Sequence, residues 1–269
     1  MLFLAVWPSG RQAAAQQVFR NRATTYLFPT DISDARAIWV NPAGLGIARE
    51  ASVYGEASVG DPGSHGRLRQ INAGFNSRGL AFGYQRDIFD DGTRGNTFRL
   101  GLAGGAGGLA AGFDVTHYRG SGAKETGWDL GVSYQAYPVL RLGLVMANLG
   151  QPTVRGIQQR LTFVPAATWH PRPLGPFGVS TLGRITPDAV ESFAFGASWS
   201  AGGGTRWPVA VIARLDTDRD LRRGAFAFGI SLGGENRFGA VLTAPGDISR
   251  LDAVSLYGLA TRLPGPGRR

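Results

Sequence analysis

Cysteine is absent from the 269 residues, which excludes disulfide frameworks, thiolate metal sites and cysteine nucleophiles. Charge is scarce: charged residues make up 17% of the chain, against about 25% in ordinary globular domains. Lysine is nearly missing, Lys124 being the only one among 28 basic residues. Beyond the N-terminus there is no apolar run of about 18 residues, so no transmembrane helix is expected. No Gly-x-Ser-x-Gly elbow occurs. The glycine run at 104–108 lacks both the Gly-Lys-Ser/Thr and the helix of a phosphate loop, and reads as a turn. The three histidines, His65, His117 and His170, have no metal-ligand spacing and read as interfacial or exposed. The chain offers no catalytic constellation, no metal site and no cofactor motif; it does not read as an enzyme.

Glycine is abundant, at 41 residues, and the net charge is +9. The arginines are scattered singly, with only Arg222-Arg223 and Arg268-Arg269 adjacent. With no basic stripe and no recognition motif, nucleic acid is not an expected partner. Mean hydropathy lies near zero, as it does when apolar and polar residues alternate along the strands of a membrane barrel.

The first 16 residues hold a short apolar run, Leu2 to Trp7, and a small-residue site, Ala13-Ala14-Ala15, before Gln16. This pattern fits the remnant of a secretory signal peptide without its basic n-region.

From Glu50 onward the dominant period is two. Leu80, Phe82 and Tyr84 alternate with Ala81, Gly83 and Gln85, and Phe98, Leu100 and Leu102 alternate with Arg99, Gly101 and Ala103. The same pattern continues to Leu263 and gives about fourteen strands, among them 162–169 and 177–185. Opposite the bulky residues sit Gly, Ala, Ser, Asn and Gln, with isolated charges: Glu56, Arg99, Asp114, Asp129, Arg141, Arg184 and Arg214. Small polar residues suit a barrel lumen and the aromatic face suits lipid. Two readings of the lumen charges stand: ion pairs, in which Arg99 and Arg141 meet Asp114 and Asp129 on neighbouring strands, or the lining of a polar permeation path.

The connections alternate in character. Gaps at 61–67, 89–95, 119–126, 148–160, 186–191, 216–223 and 245–250 are longer and hold nearly all the loop acids. Those at 76–79, 104–108, 136–140, 170–176, 200–206 and 233–237 are short, rich in Gly and Pro, with Glu235 the only acid. Bacterial outer-membrane barrels have short periplasmic turns and longer outer loops, an asymmetry that a soluble β-sandwich has no reason to show. In the acidic loop, Asp216, Asp218 and Asp220 have a spacing that could hold Ca²⁺, but without the glycine and distal Glu of an EF-hand they read as a solvated loop. Pro165 cannot donate to a ladder and should mark a bulge or kink.

The remaining signal is Asp31 to Leu45, DISDARAIWVNPAGL. Asp31 or Ser33 could cap one short helical turn to about Ile38. Asn41-Pro42 is a turn former, and Gly44 and Gly46 permit re-entry into extended chain. Asp34, Ala35, Trp39, Asn41, Pro42, Ala43, Gly44 and Leu45, ahead of a long all-β region, resemble the N-terminal hatch of the FadL-like outer-membrane family and its PorV-type relatives. The resemblance covers about a twentieth of the chain. It implies a transmembrane antiparallel barrel of about fourteen strands, with a hatch formed by Asp34, Trp39, Asn41, Pro42, Ala43, Gly44 and Leu45.

The expected organisation is a signal remnant at 1–16, a hatch at 17–48, the barrel at 49–263 and a tail or linker stub at 264–269. The expected location is the bacterial outer membrane, in contact with its lipid. The resemblance implies passive transport of a hydrophobic small molecule, released sideways through a gap near a kinked strand when the hatch shifts. A second reading is a membrane anchor or secretion-system partner of the PorV kind, tethering a periplasmic domain. Small loops and a linker-like tail favour the latter; the hatch motif serves both.

Overall fold

The computed structural model describes residues 24–47, 51–63, 66–89, 92–120, 123–154, 157–171, 176–246 and 248–262. The signal-like segment 1–16, the first part of the expected hatch (17–23), His65 and the tail 264–269 lie outside the described residues.

Fourteen strands close into one antiparallel barrel. In chain order they are β1 (Ala51–Gly60), β2 (Arg67–Ser77), β3 (Leu80–Ile88), β4 (Arg94–Ala106), β5 (Leu109–Gly120), β6 (Ala123–Tyr137) and β7 (Leu140–Leu149), followed by β10 (Thr162–Trp169), β11 (Phe177–Ile185), β12 (Val190–Ala201), β13 (Val209–Asp218), β14 (Arg223–Leu232), β15 (Asn236–Pro245) and β16 (Ala253–Thr261). The two-residue strands β8 (Thr153–Val154) and β9 (Ile157–Gln158) form a hairpin in the longest loop. Each barrel strand pairs with its neighbours in sequence, and β1 pairs with β16 to close the ring. Closure leaves no sheet edge, which in a membrane would expose unsatisfied backbone groups.

The tightest turns follow from residue type. Arg78-Gly79 and Gly107-Gly108 both have positive φ at their two central residues, the conformation that joins right-twisted strands in two residues. Both lie at the rim where β1 begins and β16 ends. This short-turn rim also holds the two-residue β6–β7 link, while the opposite rim holds the longest connection, 150–161. The expected asymmetry of length holds only in part: β5 and β6 are joined by two residues at the opposite rim, and 170–176 and 202–208 at the short-turn rim are seven residues each.

Alternation sorts the faces as the pleat requires. Leu80, Phe82, Leu100 and Leu102 point outward and are about half exposed, whereas Asn72, Asn76, Gln85 and Thr116 point inward and are buried. Tyr134, Tyr137, Trp169, Phe177, Trp207 and Phe238 stand exposed near the short-turn rim, as an interfacial aromatic girdle does. The soluble-sandwich possibility fails here, since the large apolar side chains face out and share no core. Tyr54, Tyr118 and Tyr257 depart from the aromatic-out pattern: all three are buried.

Pro165 acts differently from the bulge expected of it. Its pairing with β7 is unbroken, Pro165 opposite Leu144. On the β11 side, Phe163 pairs with Ile185 and Ala166 with Leu182, but Val164 and Pro165 have no partner. The register is the same on both sides of the gap, so the missing N–H opens the ladder without shifting it.

Residues 24–47 run inside the barrel. Asp34 caps a 3-10 turn over Ala35–Trp39, accepting from the Arg36 N–H, and Asn41 caps a second over Pro42–Gly46, accepting from the Ala43 N–H. The expected single turn capped by Asp31 or Ser33 is thus two turns, with Asp34 as the first cap. Asn41 is extended, at φ −157° and ψ 106°, because the residue before proline avoids the helical region. That break divides the segment, and Pro42, needing no N–H donor at a first helical position, starts the next turn.

Candidate functional site

The interior is built where this segment meets the wall. Ile32, Ile38 and Leu45 are wholly buried, packing with Tyr54, Ala81, Val241, Tyr257 and Leu259 of the strands. Each such aliphatic side chain contributes on the order of 1.5–3 kcal/mol. Phe28 packs separately against Val164, Ala166, Leu182 and Ala194, directly behind the open stretch of the β10–β11 ladder.

The wall is thinned to admit the segment. A Cβ on Gly131 would come 2.0 Å from Asn41 Oδ1, one on Gly112 would come 2.5 Å from the Pro42 carbonyl oxygen, and one on Gly101 would come 2.9 Å from a Leu45 methyl. Inward glycines on β4, β5 and β6 therefore form the bed of the Asn41–Leu45 turn. Within the segment, Gly44 abuts the Ile32 carbonyl, where a Cβ would lie 2.4 Å from the oxygen. Its expected role in re-entering extended chain gives way to close packing inside the second turn.

Polar contacts fix the segment's path. Three lumen arginines on three separate strands each donate to one of its carbonyl oxygens: Arg99 to Ile38 at 2.8 Å, Arg141 to Thr30 at 3.1 Å and Arg214 to Leu27 at 2.9 Å. Ser52 Oγ accepts from the Ala35 N–H at 2.7 Å, and Asn76 Nδ2 donates to the Leu45 carbonyl at 3.3 Å. A charged donor to a buried carbonyl satisfies an acceptor that irregular backbone would otherwise leave without a partner.

The arginines also meet acids, though not all as expected. Arg99 reaches both Asp114 (3.2 Å) and Asp129 (2.9 Å), carboxylates that stand directly opposite each other across β5 and β6. Among the described residues Arg141 meets no carboxylate; its guanidinium donates to Gln135 Oε1. Arg214 pairs with Asp216 at 2.6 Å and lies over the Phe28 ring. Glu56 is buried and accepts from Ser58 Oγ. Arg184 is half-buried on β11, opposite Ser192 in register.

Asp216 lies within β13, committed to Arg214, while Asp218 accepts from the Asp220 and Arg222 N–H groups. The three loop acids do not converge, and among the described residues no group of acids and histidines is placed to hold a metal.

Of the expected hatch residues, Asp34 forms a bidentate pair with Arg36. Burial pushes its carboxyl up, but the charge and hydrogen bonds of Arg36 outweigh this and hold it below its ordinary value. Trp39 lies under the Arg99 guanidinium, 5.2 Å from it. Sequence reasoning missed the partners of the Asp34–Arg36 pair, namely Tyr26 and Tyr257, whose hydroxyls bond each other at 3.0 Å while Arg36 donates to Tyr26. It also missed the Asp31 contact to His170 at the short-turn rim, 3.8 Å away. Tyr257, an inward aromatic on a strand whose pattern puts bulky residues outward, was the available signal. Between the segment and β13–β16 remains a cavity of about 500 Å³, lined by apolar Leu27, Ile32, Ile212 and Leu259 and by charged Asp31, Asp34, Arg36, Glu235 and Arg237.

No family model matches the sequence, and no curated protein matches it. Solved structures do. The CymD monoaromatic hydrocarbon channel aligns at a TM-score of 0.51 and 9% identity, over 84% of this chain and 91% of that one. The Pseudomonas putida toluene transporter TodX aligns at 0.48 and 10%, over 86% and 94%. A Pseudomonas aeruginosa FadL homologue aligns at 0.47 and 11%, over 86% and 95%. At these identities the first likeness bears on the fold. Together with the outward apolar band and the aromatic girdle, a closed fourteen-stranded barrel places the chain in a bacterial outer membrane.

Proposed function

We propose that the chain is a passive outer-membrane channel for apolar small molecules, closed in the conformation described here by residues 24–47 acting as a hatch. The observation that carries this reading is the set of three arginine-to-carbonyl hydrogen bonds, from Arg99, Arg141 and Arg214. They hold an irregular segment across the lumen by contacts that can be remade, whereas continuation of the sheet would make it part of the wall. The cavity beside the segment, where Leu27, Ile32, Ile212 and Leu259 adjoin the charged Asp34, Arg36, Glu235 and Arg237, supplies a resting place for a solute against its apolar side. An apolar solute is suggested by the similar fold of the CymD monoaromatic hydrocarbon channel.

The sideways exit lies where Pro165 opens the β10–β11 ladder, with Phe28 behind it. A shift of the segment withdraws Phe28 and joins cavity to lipid. The short-turn rim then faces the periplasm. An anchoring role for a periplasmic or secretion partner uses the same barrel without needing flux. Uptake of radiolabelled toluene by cells with a lipopolysaccharide-bearing outer membrane separates the two. The channel reading expects uptake to rise with the chain present; equal uptake with and without it supports the anchor.

A further inference from the structure

The outer surface carries a feature that hatch and lumen do not use. On β4 and β5 the outward pair Gly104 and Ala111 stand opposite each other, and both are small where their neighbours are large. The next row along the same strands is Leu102, Phe113, Leu130 and Met146 in continuous register; beside Ala111 come Val132 and Leu144. A Cβ on Gly104 would meet nothing within 4 Å. The result is an apolar hollow of about 510 Å³ in the lipid-facing wall, with no charged side chain in its lining.

The hollow is kept open from inside. Gly46 of the inner segment lies so close behind the Gly104 backbone that a Cβ there would come within 2.8 Å of its nitrogen, and the Pro42 carbonyl abuts Gly112. The floor is one backbone thick and already in contact on its inner side, so it cannot sink to fill the space. An empty apolar hollow forfeits dispersion contacts along its whole lining.

We propose that this hollow seats one acyl chain of a membrane phospholipid. Its rim side chains, Leu102, Phe113, Leu130, Val132 and Leu144, are all exposed on the lipid-facing side. It opens beside Tyr134 and Tyr137 of the aromatic girdle, the level at which a headgroup sits. A second copy of this chain fits poorly: a two-fold contact sets the same patch against itself, and two facing hollows leave a void. A flexible chain takes the shape of the hollow and needs no polar partner from it. The site rests on the membrane-spanning fold and is independent of whether the barrel transports anything.

The test uses the whole chain folded in vesicles of phosphatidylethanolamine carrying a diazirine on one acyl chain. Crosslinks, mapped by peptide mass spectrometry, are compared between residues 102–113 and the equally exposed Phe75–Phe82 face. Native mass spectrometry after detergent exchange counts retained lipid. The proposal expects enrichment at 102–113 and one retained phospholipid, both lost in Ala111→Phe and in Gly104→Leu. Two variants guard against a folding failure in either, each checked by the unboiled-against-boiled gel shift. Equal labelling of both faces, retention unchanged in folded variants, or a dimer that the variants dissociate would overturn it. No labelling on any strand would instead overturn the membrane-spanning fold.

Discussion

Asn41 Oδ1 fills the place where Gly131 would carry its Cβ, 2.0 Å from that position. From there it accepts the Ala43 N–H, while Asn41 Nδ2 donates to the Pro29 carbonyl at 2.9 Å. One side chain thus caps the second turn, ties it to the chain twelve residues earlier and seats it on β6. Gly131→Val should push the turn off the wall, at a cost of about 1–3 kcal/mol from overpacking. The expected outcome in liposome swelling is faster entry of small sugars, with the gel mobility shift of a closed barrel retained. Swelling at the wild-type rate would mean that this turn seals nothing.

Arg99 and Arg141 both hold the segment, yet their removal should differ. Arg99→Leu leaves Asp114 and Asp129 facing each other in the wall, and breaking a buried pair by removing one partner costs about 3–5 kcal/mol. Arg141→Leu removes hydrogen bonds to Gln135 and Thr30 but leaves no carboxylate unpaired, at about 1–3 kcal/mol. Urea titration of the gel shift should rank Arg99→Leu below Arg141→Leu, with Asp114→Asn restoring part of the Arg99→Leu loss. An equal midpoint for the two single variants would show that the carboxylate pair needs no counter-charge.

The contact of Asp31 with His170 should make hatch seating depend on pH. The Asp31 carboxylate raises the pKa of His170 above its ordinary 6.5. A raised value means that the tie is fully present below pH 6.5 and is lost as pH rises through the value in the folded protein. Single-channel recordings should therefore show more frequent openings at about pH 8.5 than at about pH 5.5. His170→Ala should open equally often at both.

Pro165→Val returns an N–H to the β10–β11 ladder, where one hydrogen bond contributes about 0.5–1.5 kcal/mol. If hydrocarbon leaves between these strands, this change should slow toluene uptake in cells while raising the urea midpoint. A higher midpoint with unchanged uptake would place the exit elsewhere.

Much of this architecture is legible in the sequence. Period-two alternation yields the strands, and β10 and β11 fall where Thr162–Trp169 and Phe177–Ile185 were expected. An even strand number places both barrel ends on one rim. The interior was harder to read, since alternation says which way Arg141 points and nothing about what crosses the lumen to meet it. Its partner, the Thr30 carbonyl, lies 111 residues away and belongs to backbone, which leaves no mark in side-chain chemistry. Likewise Gly112 and Gly131 look like ordinary lumen filler until Pro42 and Asn41 are seen against them. Pro42 correctly signals a break, but the second 3-10 turn after it depends on Asn41 capping inside a fold already formed.

If residues 24–47 close the barrel, deleting residues 31–46 opens it. Planar-bilayer conductance is measured for the deleted and intact chains, each first confirmed as a closed barrel by its gel shift. The deletion should give a steadily open pore, where the intact chain is mostly shut. A conductance equal to that of the intact chain, in a barrel of unchanged gel shift, would contradict it.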